Sequence, residues 1–127
     1  RSATGTWPRV LLLSAHGGNA APLRRAVATL RAESRDVRAW SPGWRGDAHA
    51  GRTETSVQLA LRPQRVDLPR AAAGATAPLA ELLPVLRTGG VRAVSANGVL
   101  GDPAGAAAEE GDRLLAEAVE ALDRWLG

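Results

Sequence analysis

Two histidines stand in this chain, His16 and His49, and each lies in a loop of small residues. His16 opens the tetrad His16-Gly17-Gly18-Asn19 directly after an apolar run. The glycines permit a sharp turn and a close backbone approach to a ligand, and Asn19 can cap a helix or hold a substrate oxygen. Such a turn is either a tight strand-to-helix connection or an anion cradle at a helix N-terminus. Neither GxGxxG nor GxxxxGK[ST] is present, which weighs against a nucleotide. The second cluster, residues 47–56 (DAHAGRTETS), gathers Asp47, His49 and Glu54 among hydroxyls. Histidine and glutamate with small neighbours are the donors of a zinc, manganese or iron site. Glu54 also falls at the start of a helix, where the dipole alone stabilises a carboxylate. A third segment, residues 97–106 (NGVLGDPAGA), reads by itself as a loop followed by a capped helix.

These loops need elements to hold them. Arg9 to Ser14 contains Val10-Leu11-Leu12-Leu13 between Pro8 and the glycines, the pattern of a strand buried on both faces. Ala21 to Glu33 has helical spacing, with Leu23, Val27 and Leu30 on one face, Asn19 as N-cap and Pro22 in the first turn. Asp36 to Trp40 is a second strand, and strand–helix–strand order predicts an α/β domain with right-handed crossovers. Thr53 to Leu61 and Leu79 to Leu86 read as helices, the latter kinked or ended early by Pro84. Val91 to Val94 is a third strand candidate. Ala104 to Leu126 is the longest helix, with Asp102 as N-cap and Pro103 at its first position. Its apolar stripe is Leu114, Leu115, Ala118, Val119, Leu122, Trp125 and Leu126. The expected architecture is a three-layer α/β/α arrangement with a mainly parallel sheet, one domain over 1–127. No internal repeat is evident.

Composition narrows the function classes. The chain has 127 residues, which suits one domain rather than two. It contains no cysteine, which excludes disulfides, thiolate metal sites and thiol nucleophiles. No apolar run approaches a membrane span. All 16 basic residues are arginine, and the net charge is only +3. That charge, spread along the chain, argues against a nucleic-acid partner. Met is absent too, and the reading is a segment of a longer protein.

Taken in order, His16-Gly17-Gly18-Asn19, residues 47–56 and residues 98–111 (GVLGDPAGAAAEEG) resemble the creatininase family of metal-dependent amide hydrolases. The likeness extends over nearly the whole chain. Arg52, where many members carry glutamate, resembles the mycofactocin-system branch, as do Val37-Arg38-Ala39-Trp40 and Ser95-Ala96-Asn97-Gly98. Members of that branch release the crosslinked, decarboxylated Val-Tyr end of a ribosomal precursor peptide. The resemblance implies His16 and Glu54 as ligands of a divalent ion (zinc, iron or manganese, two in the complete enzyme). It implies His49 as the group that moves protons, and Asn19, Gly98, Gly101 and Asp102 as substrate-binding residues. It further implies a cytoplasmic homo-oligomer acting on a modified peptide, without nucleic acid or membrane. The family's Glu-x-His-Gly…His…Asp half has no match here, since residues 1–15 hold no carboxylate or histidine. The chain therefore reads as the C-terminal part of such an enzyme, with two ligands where a catalytic zinc usually takes three. Two other readings stand beside it: a non-catalytic remnant or partner-binding subunit, and a small anion-binding module.

Overall fold

The computed structural model describes residues 1–127, the side chain of Thr4 excepted. The chain divides into two compact units, one of Arg1–Gly43 with Ala121–Gly127 and one of Trp44–Glu120.

In the first unit, α1 (Ser2–Thr6) leads into β1 (Arg9–Leu13), a 3-10 turn at Gly17–Asn19, α2 (Ala20–Ala32) and β2 (Asp36–Trp40). The strands pair in parallel, in register from Arg9 opposite Asp36 to Leu13 opposite Trp40, which confirms the α/β reading. Parallel neighbours require a crossover, and α2 supplies it. Its inward residues are Leu23, Val27 and Leu30, as their spacing predicts. Val37 is fully buried beneath them, and Arg31 Nε donates to its carbonyl at 2.9 Å. β1 itself is only half-buried and Leu13 is 56% exposed, so the expected double-faced burial is corrected. Its one strand neighbour among the described residues is β2. Ion pairs mark the rim, with Arg9 Nε 2.6 Å from Asp36 and Arg1 Nη2 2.5 Å from Glu33. The hydrogen bond from Arg1 holds the Glu33 carboxyl down at about 2, and Arg9 lowers Asp36 in the same way.

The second unit holds α3 (Arg52–Leu61), α4 (Leu79–Gly89) and the first turns of α5 (Ala108–Leu126). Pro84 does not end α4. It forfeits one backbone bond, and the flanking turns continue, with Thr88 Oγ1 3.3 Å from the Pro84 carbonyl. Val91–Ala93 is a 3-10 turn, not the expected strand. The chain reverses there immediately after α4, through Gly90 at φ +70°, and local bonds from Val94 and Ser95 to the Val91 carbonyl override β-propensity. α5 starts at Ala108 rather than Ala104. Asp102 does not cap it: its Oδ1 accepts from Ala104 N at 2.9 Å, closing a turn that Gly105 at φ +73° carries off the helical path.

The real cap comes from α3. Ser56, fully buried, accepts from Ala107 N at 3.1 Å and donates to Glu110 at 3.0 Å. The two helices approach so closely that a Cβ on Gly111 would overlap the Ser56 carbonyl. On α5 the inward stripe is Gly111, Leu114, Leu115, Ala118, Ala121, Leu122 and Trp125. Val119 is 67% exposed and Leu126 also faces outward. At 100° per residue both positions fall at the edge of that stripe, which explains why a purely apolar reading included them.

Candidate functional site

His49 is fixed through its backbone before its side chain does anything. Its N–H donates to the Leu100 carbonyl at 3.1 Å and its carbonyl accepts from Leu100 N at 2.8 Å, an isolated antiparallel bridge. Ala48 N donates to the same carbonyl at 3.0 Å. The partner segment is braced in turn by Asn97. Its Oδ1 accepts from Ser95 Oγ (2.8 Å) and Val99 N (3.1 Å), while its Nδ2 donates to the Ala72 and Ala73 carbonyls. Gly74 N and Ala75 N then donate to the Gly101 and Val99 carbonyls, both at 3.0 Å. Residues 72–75 are thus an ordered wall of the loop that holds His49.

Glu54 enters from the first turn of α3. Its Oε2 lies 3.3 Å from His49 Nδ1, with the two side chains 51% and 52% exposed. The same oxygen accepts from Ala50 N at 2.7 Å. Both contacts use the short excursion at Ala50, a non-glycine residue at φ +53°. Strain of this kind persists only where surrounding bonds over-determine it. The contact involves Nδ1, and Nε2 is the ring nitrogen that lies outside it. The structure therefore joins His49 to Glu54 as a histidine–carboxylate pair.

Of the other expected site residues, Gly98, Gly101 and Asp102 lie on the loop that flanks His49. Gly101, at φ +149°, packs against Asp47, where a Cβ would overlap the carboxylate group. Asp102 lines a pocket of about 270 Å³ with Leu68, Ala71 and Pro103 among its walls. His16 and Asn19 belong to the first unit. There Ser14 Oγ accepts from His16 N (3.4 Å) and Asn19 Nδ2 (3.1 Å), which folds the His16–Asn19 turn. Asn19 occupies the N-cap position of α2 but makes no capping bond, because its side chain is turned back to Ser14.

Residue types alone gave no reason to single out Ser14, Ser56 or Glu110. Arg52 Nε donates to Glu110 at 2.7 Å, and that bond, with the one from Ser56, holds the Glu110 carboxyl below its usual range. No local spacing signals the Ser56–Glu110 bond, since the two residues are 54 apart.

No group of three or more His, Asp or Glu side chains suited to a metal ion is gathered among the described residues. His49 and Glu54 are two donors and are already turned toward each other. A catalytic zinc normally takes three protein ligands. The residues described do not by themselves fit a complete metal site.

The chain belongs to the creatininase family, whose sequence pattern (creatinine amidohydrolase) matches residues 3–126. A mycofactocin precursor peptide peptidase of Mycobacterium ulcerans is 55% identical over 135 residues, covering 98% of this chain and 52% of its own length. That of Mycolicibacterium smegmatis is 48% identical over 131 residues, covering 98% and 53%. The chain spans about half the length of these curated relatives. A crystal structure from Bacteroides fragilis, described as a creatinine amidohydrolase, superimposes with a TM-score of 0.69 at 24% identity, over 95% of this chain and 53% of that one. It establishes the creatininase-like α/β fold. No helix among the described residues is long and apolar enough to cross a membrane.

Proposed function

We propose that this chain carries the proton-transfer pair of an amide hydrolase that cleaves a ribosomally made precursor peptide. The observation that carries the reading is the 3.3 Å approach of His49 Nδ1 to Glu54 Oε2. Glu54 holds the imidazole in one orientation and tautomer, and His49 Nε2 delivers a proton to the departing amide nitrogen. The loop Gly98–Asp102 is paired with His49 through Leu100, and on this reading Gly98, Gly101 and Asp102 are the residues that meet the substrate. The peptide substrate is taken from the relatives' names, which describe a mycofactocin precursor peptidase.

Within this reading His16 in the first unit and Glu54 in the second are each a metal donor by the family resemblance, to divalent zinc, iron or manganese, which would polarise the amide. Two donors fall short of a catalytic set, so further ligands come from outside those that the described residues gather. Cytoplasmic location and a homo-oligomeric assembly belong to the same proposal.

The test compares this chain alone with the chain joined to the remaining part of the Mycobacterium ulcerans relative. Metal content is read by elemental analysis and fragment release from the precursor peptide by mass spectrometry. The chain alone should hold zinc or manganese weakly and release no fragment; the completed protein should do both. In the completed protein His49→Ala should lower kcat by about 10²- to 10⁴-fold. Robust turnover by the short chain would show the ligands misplaced, and full activity in His49→Ala would remove the proton-transfer role.

A further inference from the structure

We infer that Asp47 is a positioning residue for the His49–Glu54 pair, acting by tying together the two backbone segments that carry it. The inference rests on the proposed proton-transfer role of that pair. Asp47 Oδ2 accepts from Arg52 N at 2.8 Å, at the start of the helix that carries Glu54 two residues later. The same oxygen lies 3.4 Å from Asp102 N, two residues beyond Leu100, the backbone partner of His49. One carboxylate oxygen therefore spans the α3 N-terminus and the loop that holds His49.

The packing around it is equally specific. Gly51 and Gly101 both face Asp47, and a Cβ on either would overlap its side chain. Each glycine is adjacent to one of the two N–H donors, so both segments approach the carboxylate at backbone distance. His49 and Glu54 are each about half exposed. Exposed pairs of this kind hold a single geometry poorly unless their backbones are fixed, because each side chain loses rotamer freedom for a modest Coulombic gain. Asp47 supplies that fixing without touching His49 Nδ1 or Glu54 itself.

The chain has only two histidines, so nitrogen-15 NMR of the imidazoles reads His49 directly once His16→Gln assigns the other signal. At mildly alkaline pH the wild-type chain should show His49 enriched in the Nδ1-protonated tautomer, and Glu54→Ala should return it to the Nε2-protonated form that free histidine favours. Asp47→Ala should shift His49 to the Glu54→Ala pattern although Glu54 is intact. Asp47→Asn, which keeps an acceptor oxygen, should retain most of the wild-type signal. Asp47→Glu, which displaces the carboxylate by one methylene, should fall between them. In the completed protein Asp47→Ala should lower kcat up to about a hundredfold with KM unchanged. A wild-type tautomer in a folded Asp47→Ala chain overturns the inference; should that variant not fold, an unchanged tautomer in Asp47→Glu overturns it instead. If wild-type His49 already matches Glu54→Ala, there is no pair, and the proposed proton-transfer role fails with the inference.

Discussion

Two residues adopt backbone conformations that L side chains disfavour, and they do so for different reasons. Ser34, at φ +58°, terminates α2: Arg35 N donates to the Leu30 carbonyl and Ser34 N to that of Arg31, a closure in which glycine usually takes the left-handed position. Ala50, at φ +53°, instead turns its N–H toward Glu54 beside His49. Ser34→Gly should therefore raise stability by about 1 kcal/mol and leave the His49 imidazole signal unchanged. Ala50→Gly should bring a similar gain of about 1 kcal/mol while loosening the His49–Glu54 pair. Urea unfolding together with the His49 nitrogen-15 shift separates the two cases. A stabilised Ala50→Gly chain with an unaltered imidazole would show that the strain has no part in the site.

Among the elements, the crossing of α3 and α5 is the least tolerant contact. Gly111 sits in the first turns of a long helix, where alanine is intrinsically preferred by about 1 kcal/mol. A Cβ there meets the Ser56 carbonyl and the Ala60 side chain. Because the obstruction includes backbone, overpacking of about 1–3 kcal/mol outweighs the propensity gain. Gly111→Ala should thus destabilise the chain in urea unfolding and disturb the Ala107–Ser56 bond that caps α5. Unchanged or increased stability would mean that the helices can separate at no cost. This element-level fit also explains the late start of α5. Asp102-Pro103 has the local chemistry of a helix start, but the first orphan N–H is claimed by Ser56, a cap that tertiary packing alone supplies.

For the whole molecule, the acid response follows from three carboxyls held below their usual range. Arg1 draws Glu33 from 4.5 down to about 2, Arg9 lowers Asp36, and Arg52 with Ser56 lowers Glu110. A depressed folded-state value contributes stability above the unfolded value and loses it as pH falls through the folded one. The melting temperature should therefore decline as pH drops from about 4.5 toward 2, and the decline should shrink in high salt because these groups are exposed to screening. Circular-dichroism melts across that range check both statements; a melting temperature independent of pH there would show the pairs to be energetically silent. Among the described residues the buried large apolar side chains are few, Val37, Val57 and Leu100, while Trp7, Leu13 and Val119 stay largely exposed.

Short-range chemistry was legible from residue order. The β1–α2–β2 order and the inward face of α2 follow from spacing of a few residues, which backbone periodicity enforces locally, and the motifs at His16, His49 and Glu54 carried the family resemblance. The start of α5, the turn at Val91–Ala93 and the exposure of Val119 did not follow, because each depends on a partner far along the chain. The same holds at the site. Residues 47–56 announced a histidine and a glutamate, but only folding brought Nδ1 within 3.3 Å of Oε2, set Leu100 against His49 and brought Asp102 to Asp47. Residue type fixes which groups can donate or accept a proton, whereas hydrogen-bond geometry at about 3 Å is decided by where distant backbone segments are forced to meet.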